Sequence, residues 1–144
     1  MNGIMTYTTM SPNKSTISEL ESCYFCSLPS KRIILESELS IVIFDAFPVS
    51  EGHTLIITKR HIESIFDTTK EEQIDLLANL DKAKKILDQK FSPDGYNIGI
   101  NDGEAAGQTV MHLHTHLIPR FSGDTEQAKG GVRWIFPEKA NYWS

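Results

Sequence analysis

The chain alternates short runs of branched apolar residues with polar punctuation, and one long stretch of helical periodicity interrupts the series. Ser37 to Asp45 ends in a β-branched apolar run that reads as a strand, and residues 32–36 read as a shorter one, with the turn near Glu38. Phe47 to Gly52 has turn chemistry, punctuated by Pro48 and Gly52, and Thr54 to Thr58 is a further strand. Thr68 and Thr69 are each followed three residues later by a glutamate (Glu71, Glu72), the signature of a capping box. Ile74, Leu77, Leu80, Ala83 and Leu87 then recur at three or four residues, so this helix lays one apolar stripe on a sheet and ends near Lys90, before Pro93-Asp94-Gly95. Tyr96 to Ile100 reads as a strand, Asn101 to Gly107 as a glycine-rich turn, and Thr109 to Ile118 as the last strand. Strands in hairpin-like succession around one long helix predict an α+β fold. We expect a mostly antiparallel sheet of about five strands, one long helix and a short one.

The last strand is unusual in its polar face. His112, His114 and His116 stand at every second position, so on a strand they share one side at steps of about 6.6–6.8 Å. Three imidazoles make a poor core surface; metal binding, phosphate binding and nucleophilic chemistry are their plausible uses. The preceding turn adds Gly103 and Gly107, where the backbone can approach a ligand closely, and Gln108 and Thr109, whose side chains can donate to phosphate oxygens.

Composition narrows the ligand. The 144 residues carry a net charge of −5, which argues against gripping nucleic acid through its phosphates but leaves a small anionic ligand open. No apolar run approaches the ~20 residues a membrane-spanning helix needs, and the first fifteen residues lack the continuous apolar segment of a secretion signal. The two cysteines, Cys23 and Cys26, are too few for a disulfide framework. Their Cys-x-x-Cys spacing leaves metal ligation, a redox pair or two small buried residues open, and a cytoplasmic location is expected. Residues 1–18 read as a flexible arm and 19–144 as one domain. The tail from Gly130 to Trp143 is too aromatic for a disordered end and is expected to dock, on its own domain or on a partner subunit.

The run Asn101-Asp-Gly-Glu-Ala-Ala-Gly107-Gln108-Thr109-Val-x-His112-x-His114-x-His116 resembles the histidine triad (HIT) superfamily of nucleotide hydrolases and transferases. So does the upstream segment, with Phe44-Asp45, Pro48 and Gly52-His53-Thr-Leu-Ile-Ile-Thr-Lys59-Arg60-His61. The resemblance runs from about Cys23 to Arg120. It departs at Thr115, where the family usually has an apolar residue, and at Thr58, where it usually has proline. The resemblance implies that His114 is the nucleophile at the α-phosphorus of a nucleotide, forming a nucleotidyl-histidine intermediate. His116, Gln108 and His53 would surround the phosphate, Asp45 would receive the ribose hydroxyls, and Asn101, Gly107 and Thr109 would line the site. The implied activity is hydrolysis of a dinucleoside polyphosphate such as diadenosine tetraphosphate. Adenosine phosphoramidase and phosphorylase activities are alternatives within the superfamily, and a non-catalytic nucleotide-binding module is a more distant one. The partners implied are a purine nucleotide and a second copy of the chain.

The zinc-bearing branch of the same superfamily implies a second constellation. There Cys23, Cys26, His61 and His112 are the ligands of a structural zinc, a donor set that suits closed tetrahedral coordination.

Overall fold

A computed structural model of the protein describes residues 22–143; the arm expected over residues 1–18 lies outside them. Strands β1 (Ile33–Glu36), β2 (Ser40–Phe44) and β3 (Thr54–Thr58) follow one another as a meander. Helix α1 (Lys70–Phe91) then crosses to β4 (Gly95–Gly99) and β5 (His114–Arg120), and a short helix α2 (Pro137–Ala140) lies in the tail. The sheet order is β1-β2-β3-β5-β4, with every pair antiparallel. The expected α+β architecture is the observed one. Among the described residues no helix is long and apolar enough to cross a membrane.

Alternation along the central strands divides the interior in two. Val42, Ile56, Leu113 and Leu117 face α1 and pack with Leu76, Ala83 and Leu87. Ile41, Ile43, Leu55 and Ile57 face the other way and are covered by Phe25. Both faces of β2 and β3 are therefore dry, which explains why these strands read as continuous apolar runs rather than alternating ones.

The helix begins where the capping box places it. Thr69 accepts from the Glu72 backbone N–H (3.1 Å), and Glu72 returns a carboxylate oxygen to the Thr69 N–H (2.9 Å). Its buried stripe is the expected one in part, since Ala83 and Leu87 are buried and half-buried Leu80 packs on the same cluster. Leu76, Asn79, Ala83 and Leu87 are buried, whereas Ile74 and Leu77 are 62% and 65% exposed. A polar position belongs to the seam because Asn79 donates to Ser37 and Ser40 Oγ (both 2.7 Å), tying α1 to the start of β2. The apolar periodicity of Ile74 and Leu77 had masked that register.

The histidine strand also starts later than expected, at His114. Beyond Ile57 opposite His114, β3 offers one more residue before it ends at Thr58, and the chain turns away: the His112 N–H donates to Val110 O and the Leu113 N–H to Ile62 O. At the other end Pro119 fits because past Leu117 only β4 runs alongside. In the turn ahead of His53, Gly52 adopts φ +85°, and a Cβ there would stand 2.8 Å from the Phe91 ring. The glycine lets the end of α1 close onto this turn.

Arg60 donates to both carboxylate oxygens of buried Glu72 (2.6 and 3.2 Å), which anchors the chain segment leading into His61. Arg60 first, and then the Thr69 N–H, hold the Glu72 carboxyl below its ordinary value of 4.5 against the opposing effect of burial. A depressed carboxyl stabilises the fold above its unfolded pKa, and that contribution is lost as pH falls through the folded one. Glu72→Gln is expected to cost about 1 kcal/mol at pH 7 in urea unfolding, with the gap from wild type closing as pH falls below about 4.5.

Candidate functional site

The register between β3 and β5 sets Ile57 opposite His114 and Leu55 opposite His116, placing both imidazoles on the sheet face away from α1. His112 lies outside the ladder, yet its ring falls in the same row. Phe25 stands edge-on to His114 and His112, at 4.9 and 5.9 Å between ring centroids. His53, just ahead of β3, comes to 5.2 Å from His116 in the same measure.

Backbone groups choose the tautomer of each ring. A carbonyl can only accept, so His114 Nδ1 carries the proton it donates to His112 O (2.7 Å), and in the neutral ring the lone pair is on Nε2. By the same logic His112 Nε2–H donates to Thr58 O (2.7 Å), leaving Nδ1 bare. The Val49 N–H donates to His53 Nδ1 (3.1 Å), so the His53 proton sits on Nε2 and is donated to His116 Nδ1 (2.9 Å). His116 then presents an N–H at Nε2. Asp45 Oδ2 lies 3.5 Å from His53 Nε2, while Oδ1 accepts from the Phe47 N–H.

Burial pushes His53 below its ordinary 6.5, with Asp45 pulling the other way. His116 is lowered mainly by burial, then by His114 and His53. Both rings are therefore mostly neutral at pH 7. The neighbouring imidazoles can accept and donate hydrogen bonds without accumulating like charge.

A cavity of about 400 Å³ opens over these rings, lined by His114, His116, Asp45, Asn101, Gly107 and Thr109, with Phe25 and Phe47 on its walls. Six of the residues expected around a nucleotide are thus gathered in one place. Phe47 stands at the rim, 86% exposed, while Phe44 packs on the α1 side instead. Gln108 departs from expectation. Its Oε1 accepts from the Gly103 N–H, its Nε2 donates to Glu63 O and Val110 O, and it lines neither this cavity nor the larger one beside it. The residue is buried because it ties the glycine-rich turn together from inside. Gly103 and Gly107 both have positive φ, with open space where a Cβ would go, so the turn's shape explains these glycines.

The second constellation assembles Cys23, Cys26, His61 and His112, with all four donor atoms within 4.8 Å of one another. Cys26 Sγ lies 3.2 Å from His61 Nδ1 and 3.4 Å from His112 Nδ1; Cys23 Sγ lies 3.5 Å from the latter. A tetrahedral zinc with ordinary bond lengths spaces its nitrogen and sulfur donors about 3.3–3.8 Å apart, so the set fits such an ion. The bare Nδ1 of His112 is the atom a metal requires, and its opposite nitrogen is already tied to a carbonyl. Burial, followed by the neighbouring Cys23, pushes the Cys26 thiol up to about 11, so thiolates at this spot call for a compensating cation.

Sequence reasoning missed the carbonyls of Thr58 and His112 and the Val49 N–H, because backbone groups have no residue signature. It also missed the larger neighbouring cavity and the part the tail plays in it. The tail folds largely on itself and meets the rest of its own domain beside Asn97. Gly131 abuts Asn97, Arg133 donates to Ala140 O and Lys139 O, and Lys129 stands over the Trp143 ring.

Comparison with known proteins brings family and geometry together. The HIT domain pattern matches residues 29–123. An uncharacterized HIT-like protein of Methanocaldococcus jannaschii is 37% identical over 114 residues, covering 76% of this chain and 87% of the relative. The bis(5'-nucleosyl)-tetraphosphatase (asymmetrical) of Schizosaccharomyces pombe is 36% identical over 102 residues, covering 70% of this chain and 56% of that enzyme, so the match spans little more than half of its length. A zinc-bound histidine triad family protein from Mycobacterium smegmatis superposes with a TM-score of 0.67 at 37% identity, covering 75% of this chain and 81% of the other.

Proposed function

The chain belongs to the HIT family, and we propose that it is a nucleotide hydrolase that cleaves a dinucleoside polyphosphate at the α-phosphate to release a nucleoside monophosphate. The observation that carries this reading is the orientation of His114: with Nδ1–H held by His112 O, the Nε2 lone pair is free for attack beside a cavity of nucleotide size.

In the first step His114 Nε2 forms a bond to the α-phosphorus. The bridging P–O bond breaks, and its electron pair leaves with the remaining polyphosphate. Water then cleaves the N–P bond, which restores the imidazole. Two displacements at a positioned phosphorus replace one slow attack by water. The Nε2–H of His116 is aimed to stabilise charge on the phosphoryl oxygens, and His53 holds it in that tautomer. Asp45, with one carboxylate oxygen fixed by the Phe47 N–H, is a suitable acceptor for ribose hydroxyls. Asn101 and Thr109 supply donors around the phosphate. Gln108 supports the turn on which they are mounted.

Cys23, Cys26, His61 and His112 would hold a structural zinc. When bound, the ion supplies a cross-link between the N-terminal segment, the chain after β3 and the approach to β5. His112 also offers the carbonyl that orients His114, so the metal cluster and the nucleophile share a residue. Reduced thiol ligands suit a cytoplasmic location. Phe66, Leu77 and Ile98, all more than half exposed, border an apolar groove of about 480 Å³ between α1 and the edge strand β4. We place a second copy of the chain there, as an exposed apolar strip of this kind favours association.

His114→Ala is expected to lower nucleoside monophosphate release from diadenosine tetraphosphate at least about a thousandfold. Equal release by wild type and variant would rule out the catalytic reading in favour of a binding module. Elemental analysis should find about one zinc per chain, lost in Cys26→Ser together with a lower melting temperature; wild-type protein well below one equivalent would refute the four-ligand site. In light scattering the chain should have the mass of two copies, and Leu77→Glu that of one. A monomeric wild type would remove the dimer.

A further inference from the structure

The two residues that separate the cysteines line the cavity that holds His114 and His116. Tyr24 and Phe25 are both in its wall, so the Cys23-Tyr24-Phe25-Cys26 turn carries thiols and cavity wall on adjacent positions. Phe25 is buried against Ile41, Ile43, Leu55 and Ile57 and stands edge-on to His114. The Tyr24 hydroxyl accepts from Arg32 Nη1 (2.9 Å), and Arg32 Nη2 donates to Phe44 O (2.9 Å), which ties that ring to the end of β2. A change in the shape of this turn is therefore felt in the cavity.

The thiols are placed to react with each other. The chain turns over residues 24–27, and Ser27 Oγ donates to Cys23 O (2.9 Å), which tightens the turn. The ends of a four-residue turn lie within about 7 Å, the separation beyond which a disulfide cannot close without backbone movement. Both Sγ atoms converge on His112 Nδ1, at 3.5 Å from Cys23 and 3.4 Å from Cys26, and they lie within 4.8 Å of one another. Cys26 is exposed while Cys23 lies deeper, so a soluble oxidant meets Cys26 first, with the second thiol behind it.

We propose that Cys23 and Cys26 form a redox switch: a peroxide converts them to a disulfide, which withdraws two of the four donors from the zinc site and reshapes the nucleotide cavity through Tyr24 and Phe25. The inference rests on the zinc and nucleotide readings above and adds regulation to them. Cys26 Sγ attacks one peroxide oxygen, the O–O bond breaks, and hydroxide leaves a sulfenic acid behind. Cys23 Sγ then forms the S–S bond and displaces the second hydroxide from sulfur. Two electrons pass from the thiolates to hydrogen peroxide, and two protons turn the hydroxides into water. His61 and His112 alone cannot close a tetrahedral site around zinc. A disulfide with one sulfur exposed is open to attack by a thiol, so reduction returns the four donors.

Hydrogen peroxide added to the zinc-loaded, full-length protein tests the switch without reference to turnover. Zinc content is measured first, and zinc release is then followed with a chromogenic chelator beside a sample that receives no peroxide. The peptide carrying both cysteines should lose two hydrogen atoms by mass, and about one zinc per chain should appear in step with that loss. The Kd for adenosine monophosphate should rise about fivefold, and dithiothreitol with added zinc should restore both metal and affinity. Zinc retained after the disulfide forms, oxidation of Cys26 to sulfinic acid without a disulfide, or equal release without peroxide overturns the switch. So does a disulfide that leaves the affinity for adenosine monophosphate unchanged, since the turn would then not reach the cavity. Protein that holds no zinc before oxidation removes the metal reading, and protein that never binds adenosine monophosphate removes the nucleotide reading; either result takes the inference with it.

Discussion

The antiparallel pairing of β3 with β5 is the constraint from which the site is built. With Leu55 opposite His116 and Ile57 opposite His114, the imidazoles lie on the face covered by Phe25, while Leu113 and Leu117 enter the core beneath α1. A slip of one residue would exchange these sets, driving histidines into an apolar core and leucines into the cavity. Burial of Leu113 and Leu117 alone is worth about 3–6 kcal/mol, so hydrophobic packing on one side of the strand holds the register that chemistry needs on the other.

Once that register is set, the backbone does much of the electrostatic work. Three imidazoles stand in a row, and hydrogen bonds settle which tautomer each adopts when neutral. The carbonyls of Thr58 and His112 choose for His112 and His114, and the Val49 N–H chooses for His53 and through it for His116. The result is an ordered set of ring atoms: Nδ1 of His112 toward the thiols, and Nε2 of His114 and of His116 left outside the backbone's hydrogen bonds. Such an arrangement needs no reorganisation when a substrate arrives.

The same physical separation marks the ends of the row. At one end the cysteines and His61 gather around His112, with His61 carried on a segment fixed by the pairing of Arg60 with buried Glu72. At the other end the neutralised Arg120–Asp124 pair and the tail shape a larger, more apolar space. Strand β5 and its approach thus run from the Cys/His cluster, past the triad, to the larger cavity beside the tail. Their sequence along the strand follows from its two-residue repeat.

Much of this was legible from residue pattern. The β-branched runs, the Thr69–Glu72 capping box and the alternating histidines have local causes: strand propensity, orphan amide groups at a helix start and the two-residue period of a strand. The elements, the α+β class and the triad could therefore be read without a tertiary structure. The buried stripe of α1 could not, because Ile74 and Leu77 match the period but face outward, whereas Asn79 is buried by partners far away on β2. Gln108 looked like a phosphate donor until its amide was found holding the turn, and Val132 carried no signal until the tail folded back beside His116. Sequence determined which chemical groups the protein possesses and how each short segment is disposed to fold. Tertiary structure decided which of their hydrogen bonds remain available, since that depends on contacts between residues tens of positions apart.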